Sequence, residues 1–416
     1  MVRIFEQYGT DPHPLTRRRN DFTDLSTTSA VMDSATRDYL RRRFSAYYAS
    51  TDVVLPPAAG SREWGYIPWT AGGTTMVRHK ALVDLGDVGT FLADEAPRHV
   101  YFSAAEYRNP GADTMDEKGW QAADLVFDLD GDHLDGVDES TPYPEMLDRC
   151  KEALVRLLDL LTDDLGVAHD DLQVVFSGGR GYHVHVREAG VRTLDSTARR
   201  EVVDYIRAID LDLDGLVRTE NRRGTTRRML KTEGGWGART HRRLLSFVDE
   251  LGELDEAEAI ERLTQLDGVG EKRARTVLGA FESTPEAVRT GNLEAGGPGV
   301  RTLVESLARE AVATETAPID EPVTTDLRRL IRFPGSLHGG TGLVVRRLDP
   351  DEVASFDPLV DAVPEQFTGR EVQVEVTDPP AWMDGDRFRV EEGVVSVREW
   401  IGVFLLAREH ATVAHS

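Results

Sequence analysis

The sequence predicts an α+β protein, a mixed α/β core interrupted by an inserted helical subdomain. Three observations carry that expectation. Short strand-patterned runs recur between residues 61 and 186. Residues 195–315 change character and read as mostly helical, ending in a linker-like stretch at 312–318. Strand-like sequence then returns, with two strands and a closing helix from 371 to about 400 onward. The expected division is 1–194 for the first part of the core, 195–315 for the helical subdomain and 316–416 for the second part of the core.

Taken in order, residues 1–50 read as helical with basic patches. Leu40, Phe44 and Tyr47 recur at helical spacing, which is more often core contact than function. Pro56-Pro57 ends the segment. Residues 61–69 and 75–80 read as two strands joined by a Gly72-Gly73 turn. Trp64, Tyr66 and Trp69 beside Arg62, Arg78 and Lys80 suit a nucleic-acid platform, and suit equally well a plain strand packing its tryptophans. His99–Ser103 is a further strand.

The acidic strand Asp124–Asp130 organises the chain. Side chains alternate along a strand, so Leu125, Phe127 and Leu129 share one face while Val126, Asp128 and Asp130 share the other. The two carboxylates stand about 7 Å apart at roughly 3.3 Å per residue. Unpaired, they repel each other and resist burial. A divalent cation between them removes both penalties, and hard oxygen ligands suit Mg²⁺ or Mn²⁺. The working reading is metal-dependent phosphoryl transfer.

An acidic loop follows at 131–140. Residues 144–165 form an amphipathic helix with Met146, Leu147, Leu154, Leu157, Leu158 and Leu161 on its apolar side. Cys150, within it, reads as a buried apolar residue. Residues 172–186 read as strand, glycine turn, strand. Gly178, Gly179 and Gly181 permit left-handed backbone and close approach to a ligand. The turn gathers Ser177, Arg180 and His183, and backbone N–H groups with an arginine and a histidine make a phosphate cradle. A tight hairpin with satisfied polar groups is the plain alternative. His185 reads as structural.

Within the helical stretch, residues 218–243 carry nine basic residues against Glu220 and Glu233, a net +7. Such an island suits phosphate-backbone contact or a subunit interface. Leu266–Leu278 resembles a helix-hairpin-helix, whose Gly-x-Gly amides sit at a helix N-terminus; a plain helical turn is the alternative. Residues 319–342 form a third polar cluster, with Asp320, Asp326, Arg332 and His338 beside glycine turns, or simply a short helix and turn with solvated charges. Trp400 lies near the start of the closing helix.

Charge and composition bound the rest. The chain of 416 residues is 40% hydrophobic, enough for packed cores, and carries a net charge of −24. It has only five lysines, Lys80, Lys118, Lys151, Lys231 and Lys272, the other basic residues being arginine. Acidity with scarce lysine suits a very salty cytoplasm, where the Debye length shrinks to about 3 Å. Net charge therefore does not exclude a nucleic-acid partner. No run of 18 apolar residues is present, so no membrane span is expected. The N-terminus lacks the apolar core of a signal peptide, and a cytoplasmic location is expected. Cys150 is the only cysteine, which excludes an internal disulfide and a Cys-rich zinc site.

Together the paired aspartates, the Ser/Arg/His glycine turn and the Asp/Arg/His segment resemble the catalytic small subunit of archaeal and eukaryotic DNA primases, in a version suited to a halophilic archaeon. Asp128-Leu129-Asp130 resembles that family's metal motif. Ser177-Gly178-Gly179-Arg180-Gly181-Tyr182-His183 resembles its nucleotide-binding motif, and Arg332–His338 its third motif. Arg62–Tyr66 and Val77-Arg78-His79 resemble its N-terminal segments. The resemblance runs in order from about 35 to 345.

The resemblance implies a primase catalytic core. It implies template-dependent synthesis of short RNA primers on single-stranded DNA for replication, with DNA primers left open, by two-metal nucleotidyl transfer. Asp128, Asp130 and Asp320 would be the catalytic carboxylates and ligands of Mg²⁺ or Mn²⁺, with Asp326 the fallback for the third. Ser177, Arg180, His183, Arg332 and His338 would bind the nucleotide, and Glu63 and Arg78 would help place nucleotide or template. The implied partners are a large primase subunit in a heterodimer, the single-stranded template and nucleoside triphosphates. Many relatives carry a Cys/His zinc site after the first metal motif; here only His133 and Cys150 are present, so no zinc is expected. The 266–278 hairpin does not map onto the family pattern.

The rivals are weaker. Asp128, Asp130, Asp132 and Glu139 fall at EF-hand positions 1, 3, 5 and 12, but His133 stands at the glycine position and a strand precedes it. A haloacid-dehalogenase-like phosphatase also begins with Asp-x-Asp, but Asp132 replaces its threonine. A primer-extending repair polymerase of the same superfamily, and a non-catalytic nucleic-acid-binding module, remain alternatives.

Overall fold

A computed structural model of the chain describes residues 32–70, 75–138, 140–222, 225–380 and 390–414. The Gly72-Gly73 turn, Glu139, Arg223 and the expected helix before residue 32 lie outside these residues. In chain order the strands are β1 (Trp64–Ile67), β2 (Val77–Lys80), β3 (His99–Ser103), β4 (Ala105–Tyr107), β5 (Trp120–Ala123), β6 (Leu125–Asp130), β7 (Leu172–Phe176), β8 (Gly181–Val186), β9 (Val217–Arg222), β10 (Thr225–Leu230), β11 (Leu330–Arg332), β12 (Arg346–Leu348), β13 (Glu371–Val376), β14 (Gly393–Arg398) and β15 (Ala411–Val413).

These residues divide into two compact units. One comprises the described residues up to 154, residues 168–200 and those from 319 onward; the other comprises 155–167 and 201–318. The first boundary falls inside the helix Tyr143–Asp159.

The first unit holds two four-stranded sheets, ordered β11-β3-β1-β2 and β12-β7-β8-β6. It also holds the three-stranded sheet β14-β13-β15 and the pair β4-β5. Every described strand pair is antiparallel. Leu125, Phe127 and Leu129 of β6 are fully buried, and burial of each such side chain contributes roughly 1.5–3 kcal/mol. Val126, on the opposite face, is buried too, packing with Ala104, Val323 and Ile331. That cluster lies between β6 and β11 and joins the two larger sheets. Only where β6 reaches Asp128 and Asp130 does that face open. Trp64, Phe102 and Phe333 form an aromatic core beside it, with Trp64 and Phe333 5.1 Å apart.

The amphipathic helix runs Tyr143–Asp159 and then widens into a π turn over Leu160–Asp164, so it ends sooner as an α-helix than its apolar spacing suggests. The second unit contains the helices Gly235–Gly252, Glu256–Thr264, Glu271–Ser283 and Gly297–Glu315. One expectation is corrected there, and the mostly helical stretch has one local exception. The first half of the basic island is not helical: it is the hairpin β9–β10, in which Arg228 opposes Thr219 and Arg218 opposes Met229. Residues 312–315 are no linker but the last turn of a helix, and irregular chain begins at Thr316. Leu266–Gly270 does turn between two helices, Glu256–Thr264 and Glu271–Ser283, the second of which contains the rest of the stretch to Leu278. No helix among the described residues is long and apolar enough to cross a membrane.

Candidate active site

The register of β6 against β8 sets the centre of the site. Asp128 lies opposite His183, and Asp130 opposite Gly181. His183 Nε2 stands 3.3 Å from Asp128 Oδ1, and its Nδ1 is buried without a protein partner. Burial pushes the Asp128 carboxyl up. The His183 ring beside it, with Arg332 and Arg329, more than reverses this and leaves it below the usual carboxylate range. Asp130 faces Arg180 at 3.4 Å, and Arg180 also pairs with Asp132.

Asp320 comes to this pair through the backbone. Its N–H donates to the carbonyl of Asp128 at 2.9 Å. It occupies the N-cap of the helix Glu321–Thr325, yet its side chain does not cap it, so the carboxylate is not spent locally. Burial, and then the charges of Asp128 and Asp130, raise its pKa, while His133 and Arg329 pull the other way. Asp326, at the far end of that helix, accepts from Arg328 N–H at 2.9 Å and pairs with the Arg328 side chain.

Among the described residues no three His, Cys, Asp or Glu side chains stand in the arrangement of a formed metal centre. Asp128 and Asp130 face His183 and Arg180 instead. The donor chemistry is nevertheless of the type a divalent cation takes. Three carboxylates lie near enough for two of them to oppose ionisation of the third, and all are hard oxygen donors.

The glycine turn owes its composition to close packing. A Cβ on Gly181 would lie 1.7 Å from the carbonyl oxygen of Leu129, so no side chain fits there. Gly178 has φ +74°, and a Cβ on it would meet His338 at 2.7 Å. Ser177 Oγ accepts the N–H groups of Gly179 and Gly181 at 3.4 and 3.3 Å, so the hydroxyl closes the turn on itself. Cys150 Sγ–H donates to the carbonyl of Arg180 at 3.1 Å. With its backbone tied on both sides, Arg180 projects its half-exposed guanidinium toward the aspartates.

The third segment closes the site from the other sheet. Arg332, opposite Tyr101 in the β11–β3 pairing, holds its guanidinium 5.8 Å from the centre of that ring. Its Nε is buried without a protein partner. His338 lies over the glycine turn, where Thr341 Oγ1 donates to the carbonyl of Gly178 at 2.5 Å. Burial, with the charges of Arg332, Arg408 and Arg180 nearby, holds His338 well below the usual histidine range, so its imidazole is neutral at pH 7. Its ring stands edge-on to His99, 4.9 Å away.

Ser177, Arg180, His183, His338 and Arg332 are thus all brought to the neighbourhood of Asp128, Asp130 and Asp320. Sequence reasoning did not single out His99, which supports His338, or Arg408, whose charge reaches it. The sequence marked His99 only as the first residue of a strand.

Other sequence candidates are engaged elsewhere. Trp64 is 1% exposed and donates its indole N–H to Ala59, so it is core and no platform. Glu63 is buried against Lys118 Nζ at 2.5 Å and also accepts from Arg78 at 3.2 Å. His185 is fully buried, stacked on Phe102 and 3.4 Å from Asp124. In the second unit four residues of the basic island are paired with carboxylates. Arg239 pairs with Asp164 and Glu315, Arg243 with Glu310, Arg228 with Glu294 and Arg218 with Glu220.

Comparison with known proteins converges on one group. The family model described as DNA primase small subunit matches residues 127–350, more than half of the chain, a segment that contains Asp128, Asp130, Ser177, Arg180, His183, Asp320, Arg332 and His338. The chain is 62% identical to the DNA primase small subunit PriS of Halorubrum lacusprofundi, over 92% of this chain and 99% of that protein. It is 53% identical to the protein of the same name from Haloarcula marismortui, over 91% and 99%. It is 52% identical to that from Halobacterium salinarum, over 92% and 100%.

Proposed function

The chain belongs to the DNA primase small-subunit family, the catalytic nucleotidyltransferase subunit that synthesises primers for replication, and we propose that Asp128, Asp130 and Asp320 are the carboxylates at which its reaction takes place. One observation carries this reading. The hydrogen bond from Asp320 N–H to the carbonyl of Asp128 joins a residue at the start of the second part of the core to the acidic strand. The three carboxylates would hold Mg²⁺ or Mn²⁺. Bound there, a divalent cation neutralises triphosphate charge and lowers the pKa of the attacking 3′-hydroxyl.

The other side chains serve the nucleotide. Arg180 is held at its backbone and offers a planar fork of donors, so its guanidinium can pass from carboxylate to phosphate oxygens without moving the turn. His183 orients Asp128. Arg332, fixed over Tyr101, adds positive charge where the triphosphate's charge develops. Neutral His338 presents one nitrogen to phosphate or sugar. Ser177 shapes the turn whose amides approach the ligand. Residues 195–315 act as an inserted helical subdomain of this core. The expected partners are a large primase subunit in a heterodimer, a single-stranded DNA template and nucleoside triphosphates, in the cytoplasm, with RNA primers as the product.

The test is de novo synthesis on unprimed single-stranded DNA in high KCl with Mg²⁺ or Mn²⁺, comparing the wild type with Asp128→Asn/Asp130→Asn. Short products from the wild type alone support the reading. Product from the double variant at the wild-type rate removes the carboxylate assignment. Extension only of a supplied primer, even with the large subunit present, transfers the reading to a repair polymerase.

A further inference from the structure

Arg408 stands outside every motif of the sequence and outside the matched family segment, which ends at 350. It follows the helix Glu399–Ala407, at a sharp corner where Glu409 takes φ +64° and β15 begins. Its guanidinium lies 4.8 Å from the centre of the Phe404 ring and 5.2 Å from that of Tyr143. Those rings are themselves 5.3 Å apart. The Tyr143 hydroxyl donates to the carbonyl of Gly179. An aromatic bracket therefore ties the end of the chain to the glycine turn and holds a cation against it.

A cavity of about 420 Å³ opens at this point, with Arg408, Arg180, Tyr143, Thr141 and Asp132 among its walls. Asp132 is already ion-paired with Arg180. The charges of both arginines are felt at His338. Two guanidinium groups thus border one cavity beside the acidic strand, with the carboxylates of Asp132 and Asp138 on the same wall. Planar donor forks of this kind match the oxygens of a phosphate chain.

We propose that Arg408 binds the outer phosphates of the incoming nucleoside triphosphate, a contact brought to the site from the end of the chain. The inference rests on reading the glycine turn as the nucleotide site. It explains why a guanidinium is held on two rings facing this cavity rather than extended into solvent. Arg180 would serve the phosphates nearer the aspartates and Arg408 those farther away.

The experiment measures inhibition of primer synthesis by inorganic triphosphate, together with KM and kcat for nucleoside triphosphates. The proteins are the wild type, Arg408→Gln, Arg408→Lys and Arg180→Ala, each in complex with the large subunit. Loss of a charged hydrogen bond predicts weakening of about tenfold or more in both KM and triphosphate inhibition for Arg408→Gln. The kcat should change little, Arg408→Lys should recover part of the loss, and inhibition by a nucleoside monophosphate should not change. If Arg180→Ala weakens inhibition and Arg408→Gln does not, this proposal fails and the nucleotide site stands. If neither weakens it, the nucleotide reading of the turn falls as well. Should Arg408→Gln not fold, phenylglyoxal labelling of the wild-type complex decides. Protection of Arg408 by inorganic triphosphate supports the contact, and undiminished labelling overturns it.

Discussion

The backbone N–H of Asp320 donates to the backbone carbonyl of Asp128 at 2.9 Å, so the third carboxylate of the site is placed by main-chain geometry. A side chain positioned in this way keeps its own oxygens available for other work. The cost is electrostatic. Asp320 ionises against burial and against the charges of Asp128 and Asp130.

That cost predicts opposite effects on activity and stability. Asp320→Asn should abolish primer synthesis. In EDTA-treated high-KCl buffer at pH 7 it should melt no lower than the wild type, and higher if repulsion dominates. The sign follows from the raised pKa. The folded state holds this proton more tightly than the unfolded state, so stability falls as pH rises through the folded pKa, and the amide removes that loss. A melting temperature several degrees below the wild type would contradict the placement.

Gly181 has no room for a side chain. Gly181→Ala sets a methyl group 1.7 Å from the Leu129 carbonyl oxygen, and the β6–β8 pairing must part to admit it. Overpacking of this kind costs roughly 1–3 kcal/mol or more. Denaturant titration should register it. Gly190→Ala is the control. Its Cβ would meet only the Glu188 side chain, at 3.6 Å, on helical backbone, so stability should hold or rise by about 0.4–1 kcal/mol.

Asp124 anchors a buried ionic cluster behind the site. It pairs with fully buried Arg62 at 3.0 Å and with Arg187 at 3.0 Å. Burial alone would raise its pKa, but the His185 hydrogen bond and the Arg62 charge hold it far below the carboxylate range. Asp124→Asn takes from Arg62 its fully buried counter-charge, leaving only the partly buried Glu106 at 3.3 Å, and should destabilise by about 3–5 kcal/mol. Equilibrium unfolding in urea measures this, and a loss below about 1 kcal/mol would show that the cluster is not what holds β6 to β1.

His185, in the same cluster, predicts a pH dependence. Burial lowers its pKa to about 4, against the Asp124 hydrogen bond, which raises it. The unfolded chain binds this proton near the ordinary histidine value of about 6.5. Folding stability should therefore fall as pH drops from about 6.5 to 4, with uptake of one proton on unfolding. His185→Phe, which keeps a ring against Phe102, should flatten the curve over that window. A slope unchanged by the substitution would place the titration elsewhere.

Arg180→Ala should raise the KM for nucleoside triphosphates by about tenfold or more, in proportion to a lost charged hydrogen bond. Steady-state synthesis on a fixed template reads it. An unchanged KM would remove Arg180 from the phosphate site.

Much of this was legible locally. Alternation along β6 separates Leu125, Phe127 and Leu129 from Asp128 and Asp130, because a strand has a period of two whatever surrounds it. The glycines at 178, 179 and 181 announce a turn in close contact. The single cysteine and the arginine-rich, acidic composition bound the class. Local pattern is incomplete where an outside partner decides the outcome. The basic residues at 218–243 look like an anion-binding island, but Asp164, Glu294, Glu310 and Glu315 lie far from them in sequence. Trp64 looks like a platform beside its basic neighbours, yet Phe102 and Phe333 enclose it.

The amino-acid order alone therefore determines which strand carries the carboxylates, which turn is closely packed and which family the chain resembles. The tertiary structure decides which distant groups meet them. Val126, Val323 and Ile331 pack together where Asp320 reaches Asp128, the β11–β3 pairing sets Arg332 over Tyr101, His99 meets His338, and Phe404 with Tyr143 holds Arg408 at the cavity that Arg180 also lines. Periodicity is a property of a few consecutive dihedral angles, whereas electrostatic pairing depends on distances that the packed core alone sets.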